Sequence, residues 1–268
     1  MTNFLSWLIR KKTSFFLLLY SAFLPAVYGQ DNRVRDANGI GWLVYQGDHA
    51  ISKKWKLHTE YQWRRTHFIT TWQQALARLG AVYSLTDKVT FSGGYTSLTT
   101  YPYGAYPEAN AGKPNPEHRL YEDVELDNSV GPLALSHRIR LEQRYTGEWS
   151  RTPTGNQLEW LYLNRIRYRL KGTFPGPGQS GRSKGPYATF YDELFVGFGK
   201  NVGLDVFDQN RIYFAIGYQF SEACRLEGGY LNQITQHSEP EPVSEKPIFE
   251  ANHGVLINVY YDLDFRRK

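Results

Sequence analysis

The stretch SHRIRLEQRY, from Ser136 to Tyr145, alternates charged and apolar residues along most of its length. A second stretch, NRIRYRL from Asn164 to Leu170, repeats this alternation further along the chain. Successive side chains on a β-strand point to opposite faces, so period two predicts strands with one apolar and one charged face. His137 and Gln143 are exceptions that fall on the apolar row. The rest of the chain must indicate which face meets water.

Alternating runs of this kind recur after residue 37, and turn residues separate them. Most are longer than the ~5–6 residues of a soluble strand and suit a tilted membrane-spanning strand, which needs ~9–11 residues. The candidate strands are 38–47, 53–66, 71–84, 88–99, 117–127, 132–146, 157–170, 187–198, 210–220, 224–234 and 252–265.

The connections between these runs tend to alternate between short turns and long Gly-, Pro- and Asn-rich loops, as in outer-membrane barrels. We therefore predict an all-β fold, a single antiparallel up-and-down transmembrane β-barrel. Bacterial single-chain barrels usually have an even number of strands, so ten or twelve are expected although eleven runs are visible. The connection at Lys171–Pro186 is long where a short turn is expected, and its role is left open.

The N-terminus has the features of a secretory signal peptide. Basic residues at 10–12 precede an apolar run from Ser14 to Leu24 that is too short to span a bilayer, and small residues follow. We place the cleavage near Gly29-Gln30. The expected organisation is a signal peptide at 1–29 and a β-barrel domain at 30–268, located in the outer membrane of a Gram-negative bacterium.

Composition narrows the class of protein further. Without the three basic residues of the leader, the net charge falls from +5 to +2, which argues against a nucleic-acid surface. Cys224 is the single cysteine, so no intramolecular disulfide can form. The aromatic content of 16% includes 20 Tyr, a residue that collects where an apolar phase meets water. The expected partner is outer-membrane lipid; no protein partner, cofactor or metal-ligand spacing is indicated.

The dense charged rows favour apolar side chains outside and charged side chains inside. Charge at the lipid midplane costs ~2–4 kcal/mol per residue, so arginine rows in a membrane barrel must face the lumen. A soluble sandwich or small barrel with its apolar rows inward is the alternative. The residues predicted to line the lumen and bind solute are Arg138, Arg140, Glu142, Arg144, Arg165, Arg167, Arg169 and Glu193.

Several segments together resemble a known family. They are Glu117-His118-Arg119, Ser136-His137-Arg138 with Leu141-Glu142-Gln143-Arg144, Tyr191-Asp192-Glu193-Leu194-Phe195, and Phe207-Asp208-Gln209-Asn210-Arg211-Ile212-Tyr213. In order and spacing they are similar to a domain-of-unknown-function family of Bacteroidota-type outer-membrane β-barrels. The resemblance spans most of the mature chain. It implies a fold and a location, and it implies no activity or functional residues.

Three functions are compatible with the sequence. The first is a narrow pore or binding barrel for small anionic solutes, because arginine rings attract anions in selective pores. The second is a structural or assembly-partner barrel whose lumen is closed by an Arg–Glu lattice. The third is a lipid-modifying barrel enzyme, for which Ser136-His137 is the visible pair. Neighbouring strand residues point to opposite faces, so these two side chains cannot form a catalytic hydrogen bond, and no catalytic residue is predicted.

Overall fold

The computed structural model describes residues 32–109, 111–153, 155–176, 184–204 and 206–266. The predicted signal peptide at 1–29 lies outside these ranges, and so do residues 177–183 of the connection at 171–186. The described residues form eleven strands. They are β1 (Val34–Ala50), β2 (Trp55–Thr66), β3 (Thr71–Ser84), β4 (Val89–Thr100), β5 (Asn115–Val130), β6 (Leu133–Thr152), β7 (Gly155–Pro175), β8 (Gly185–Phe198), β9 (Phe207–Gln219), β10 (Cys224–Pro240) and β11 (Pro247–Tyr261). Across these ranges, no helix has the length and apolarity to cross a membrane.

The strands close into one barrel in which each strand pairs with its sequence neighbours. Ten of the pairings are antiparallel, and the barrel closes by a parallel pairing of β1 with β11, from Val34 beside Ile248 to Gln46 beside Tyr260. The prediction of ten or twelve strands, all antiparallel, was therefore wrong. An odd number of up-and-down strands makes the first and last run in the same direction, so the closing pair has to be parallel.

The two faces of the wall are divided as the alternation predicts. On β6, Ile139 is 51% exposed, whereas its neighbour Arg140 is 4% exposed. On β7, Ile166 is exposed between the buried Arg165 and Arg167. The apolar rows thus form much of the exterior, and the arginine rows point into the enclosed interior. This excludes a barrel with an apolar interior and a charged, solvent-facing outer wall.

The polar residues that fall on the apolar rows find partners on neighbouring strands. His137 lies 2.9 Å from the Tyr168 hydroxyl, and Gln143 donates to the Glu122 carboxylate at 2.8 Å. A cross-strand hydrogen bond lowers the cost of leaving such a group on an apolar surface.

The two ends of the barrel differ, and we call them the turn end and the loop end. Residues 51–54, 85–88, 131–132, 176–184 and 220–223 connect strands at the turn end, and residues 67–70, 101–114, 153–154, 199–206 and 241–246 connect them at the loop end. Residues 147–156, which separate the candidate strands at 132–146 and 157–170, mostly form the end of β6 and the start of β7, and these two strands extend past their neighbours. At the loop end, the connection at 101–114 is the longest in the described chain.

The interior also contains an apolar sector. Ile40, Trp42, Tyr213, Leu231 and Leu256 are buried together on the inner face of β1, β9, β10 and β11. The charged rows occupy the opposite inner wall, on β5 to β8. The lumen is therefore narrowed on one side by packed side chains and on the other by ion pairs.

Candidate functional site in the barrel lumen

All eight residues predicted to line the lumen lie on its inner face in ion pairs, and six of the eight belong to one connected ladder of such pairs. Glu193 on β8 accepts from Arg138 at 2.7 Å and from Arg167 at 2.8 Å. Glu142 on β6 accepts from Arg167 at 2.7 Å and from Arg165 at 2.6 Å. Each of these two carboxylates is therefore shared by two guanidinium groups, which come from β6 and β7 for Glu193 and both from β7 for Glu142.

Two carboxylates that are not among the predicted site residues extend the ladder toward the loop end. Asp208 accepts from Arg165 at 2.8 Å and from Arg144 at 3.1 Å. Arg144 also donates to Glu117 at 2.6 Å, and Glu117 accepts from Arg119 at 2.7 Å. Glu117 shares the alternation of its strand, so its inward direction was visible in the sequence. Asp208 lies next to a loop at the start of β9, where no alternation marks it.

The two remaining predicted arginines pair at the edges of the ladder. Arg140 donates to Asp123 at 2.7 Å, and Arg169 lies 3.5 Å from Glu125. The six arginines of the predicted rows are therefore all bonded to carboxylates. A buried pair is maintained because its charges compensate each other, so these arginines offer a solute little free positive charge.

A cavity of about 360 Å³ lies beside this ladder and runs from the turn end to the middle of the barrel. At the turn end its wall includes side chains that solvent reaches, such as Asp48, which is 41% exposed. At its deep end lie Trp42 and Arg64, each 4% exposed. The cavity is thus more accessible to solvent at the turn end than at its deep end.

The lining of this cavity is rich in positive charge. Eleven Lys and Arg side chains and six carboxylates line it. Three of the eleven cations also pair with carboxylates that do not themselves line the cavity. Within the described chain, four of the eleven have no carboxylate oxygen within 4.0 Å. These four are Lys56, Arg64, Arg211 and Arg225. Alternation in the sequence does not distinguish these four, because it shows where a side chain points and not whether a carboxylate pairs with it.

The loop at 101–114 closes the other end of the barrel. It leaves β4 and reaches over β3 and β2 to the far wall, where the Tyr103 hydroxyl donates to Glu250 at 2.5 Å. The backbone N–H of Ala105 donates to the Asp36 carboxylate at 3.0 Å. Burial and the adjacent Glu250 carboxylate raise the pKa of Tyr103 well above its usual range, so the hydroxyl remains a donor. The loop is thereby docked on β1 and β11.

Gly104 makes this docking possible. Its φ of +75° lies in the left-handed region, and a Cβ there would come within 2.4 Å of the Asp36 carboxylate oxygen. Only glycine combines that backbone conformation with so close an approach. The loop can therefore reach Asp36 because residue 104 has no side chain.

The Ser136-His137 pair does not form a catalytic arrangement. Ser136 donates to Glu125 inside the barrel, whereas His137 contacts Tyr168 on the outside. The wall separates the two side chains, as expected for neighbours on one strand.

The comparisons with known proteins bear on the family and add little on activity. The model of the family described as "Protein of unknown function (DUF2490)" matches residues 40–243. The chain belongs to this family. The match confirms the resemblance to an uncharacterised domain family, and it assigns no activity. No curated protein matches the sequence.

Among solved structures, a NanC porin is similar, with a TM-score of 0.46 and 11% sequence identity. The alignment covers 84% of this chain and 98% of that one. At this level of similarity we transfer nothing from the porin to the present chain.

Proposed function

We propose that this chain is an outer-membrane barrel that takes up small anions through the turn end and holds them in the cavity beside the ion-pair ladder. The observation that carries this proposal is the excess of cations over carboxylates along the cavity wall. Arginine and lysine side chains in an enclosed, weakly screened lumen attract anions and repel cations. The docked loop at 101–114 makes the barrel a binding barrel that must open at the loop end before a solute can pass through.

The exterior supports a membrane location. Outward side chains such as Leu79, Leu120, Ile139 and Phe214 are each more than half exposed. A water-soluble protein rarely exposes so many large apolar side chains, whereas lipid stabilises them. The closed barrel also pairs every wall strand on both sides, which a chain in hydrocarbon needs.

A charge on this exterior should be costly in a bilayer. Ile139→Arg places a guanidinium in the middle of the outward apolar row of β6, and we expect a loss of about 2–4 kcal/mol of folding free energy. Denaturant titration of the protein in lipid vesicles measures the loss. The matched control is Asn128→Arg, an exposed position at the turn end of β5, where the cost should be about 0–1 kcal/mol. Equal losses at the two positions would contradict a membrane-spanning wall.

Ion selectivity tests the proposed function itself. In a planar bilayer with unequal KCl on the two sides, openings of the reconstituted protein should reverse at a potential that favours chloride over potassium. A reversal potential that favours potassium, or one that shows no preference, would contradict an anion-binding lumen.

One alternative also rests on a specific observation. The continuous ladder from Arg138 to Arg119 and the docked loop would equally suit a structural barrel with a closed lumen. The two functions differ in the wild-type protein, because a purely structural barrel has no affinity for anions. Binding of anions to the wild type therefore separates them.

A further inference from the structure

We infer that Arg64 and Arg211, which both lie over the ring of Trp42, form the binding site for a small organic dianion at the deep end of the cavity. This inference rests on the proposed function and names its solute class and the residues that hold the solute. It is carried by two arginines near Trp42 that have no carboxylate oxygen within 4.0 Å.

Arg64 on β2 is 4% exposed and has only neutral partners. Its Nε donates to the Gln62 side-chain oxygen at 2.7 Å, and Nη1 donates to Gln74. Glu60, four residues away on the same inner row, instead pairs with Arg78. The guanidinium of Arg64 is thus held in place by two amides, and no carboxylate oxygen lies within 4.0 Å of it.

Arg211 on β9 also lacks a carboxylate contact, although a carboxylate lies opposite it on the next strand. Its register partner on β8 is Glu193, which would be the expected counter-ion. Glu193 instead accepts from Arg138 and Arg167. The Gln209 amide, turned so that its oxygen faces Arg211, accepts from Nη2 at 2.9 Å. Here too an amide positions a guanidinium that has no carboxylate oxygen within 4.0 Å.

Trp42 joins the two cations into one site. The guanidinium carbons of Arg64 and Arg211 lie 4.2 Å and 5.1 Å from the centre of the Trp42 ring. The indole N–H donates to Gln73 at 2.7 Å, which fixes the ring. Cation–π contact orients both groups and offsets part of their desolvation, but it supplies no negative charge. Three of these side chains, Trp42, Arg64 and Arg211, line the cavity.

The chemistry of the site selects its ligand. Burying an unpaired charge is costly, so two adjacent uncompensated guanidinium groups favour the entry of anionic groups. Each guanidinium can donate two parallel hydrogen bonds to a carboxylate or a phosphate. Because the arginines come from separate walls, a solute with two separated anionic groups matches them better than a single compact ion. A cavity of about 360 Å³ accommodates a molecule of this size.

Calorimetric titration of the wild-type protein in detergent tests the inference. We expect butanedioate to bind roughly tenfold or more tightly than butyrate or inorganic phosphate, because only butanedioate engages both arginines. R64Q and R211Q should each lose about tenfold or more of the butanedioate affinity. R64K and R211K keep the positive charge but lose the paired N–H donors of the guanidinium group. Their butanedioate affinities should fall between those of wild type and the glutamine variants.

The matched control is R65Q. Arg65 follows Arg64 on β2 and also lies over indole rings, those of Trp63 and Trp72, but it does not line the cavity, so affinity should stay within about twofold of wild type. Two results would overturn the inference. If wild type binds anions and all four Arg64 and Arg211 variants bind equally well, the site is wrong and the proposed function stands. If no anion binds to the wild type, the proposed function fails together with the site.

A second measurement keeps the test independent of folding defects. Because R64Q and R211Q remove an uncompensated buried charge, both should melt at or above the wild-type temperature. Butanedioate should raise the melting temperature of wild type and leave that of the two variants unchanged. An equal rise in all three proteins would place the ligand elsewhere and overturn the inference.

Discussion

Replacing residues 101–114 with a copy of the short connection at 67–70 should convert a barrel with very low ion conductance into one that conducts ions. Both connections join neighbouring strands at the loop end, so the replacement closes the β4–β5 hairpin without reaching across the mouth. The contacts of Tyr103 and Ala105 with the far wall are lost. We expect the mean bilayer conductance to rise by roughly tenfold or more, as for removal of a pore constriction.

A point variant makes the same test with the loop length unchanged. Gly104→Val places a β-branched side chain at a φ of +75° and against Asp36, so the loop should undock and conductance should rise. The control is Gly203→Val at a φ of +57° in the loop at 199–206, where the nearest atom to an added Cβ is 3.8 Å away. It carries similar backbone strain and should leave the conductance unchanged. Equal conductance in wild type, the loop replacement and Gly104→Val would show that this loop does not close the mouth.

Glu142→Gln should cause the largest loss of stability among single substitutions in the ladder. Glu142 is 1% exposed and accepts from Arg165 and Arg167. The substitution keeps the shape and leaves two buried guanidinium groups with one carboxylate fewer. Breaking a buried ion pair by removing one partner costs about 3–5 kcal/mol. Denaturant unfolding in lipid vesicles measures the change in unfolding free energy.

The control for this variant lies at the accessible edge of the ladder. Glu125 pairs with Arg169 at 3.5 Å, and its side chain is 32% exposed, so water compensates much of the charge that remains. Glu125→Gln should cost less than about 1 kcal/mol. If Glu142→Gln destabilised the barrel no more than Glu125→Gln does, the ladder would not be the feature that holds the inner wall together.

The alternation of side chains predicted the wall of the barrel well. All eleven candidate runs correspond to strands, and the stretch from Ser136 to Tyr145 lies within β6 with its arginines inward. This works because the period of a strand is a local property that each segment carries by itself. The number of strands was wrong for a different reason, since it was inferred from the even count usual in other barrels. Whether the run at 38–47 joins the wall depends on a pairing with β11, about two hundred residues away.

The neutralisation of the arginine rows could not be predicted from either row alone. Arg165 is compensated by Glu142 on one neighbour and by Asp208 from a more distant strand, and which carboxylate it meets depends on register and side-chain reach. For the same reason Arg64 and Arg211 could not be distinguished from the other inward arginines in the sequence. The path of the loop at 101–114 across the mouth depends on Gly104 and Asp36 meeting in space. Local patterns carry no such information.

A nitroxide label at Phe214 tests most directly the claim that the apolar face of this barrel meets lipid. Phe214 lies in the middle of β9 and is 57% exposed. Phe214→Cys in a Cys224→Ser background gives one labelling site, because Cys224 is the single native cysteine. In lipid vesicles, the label should collide often with dissolved oxygen, which concentrates in hydrocarbon, and rarely with a water-soluble nickel chelate. Frequent collision with the nickel chelate would show that water covers this face, and the account of a membrane-spanning barrel with an anion-binding interior would be wrong.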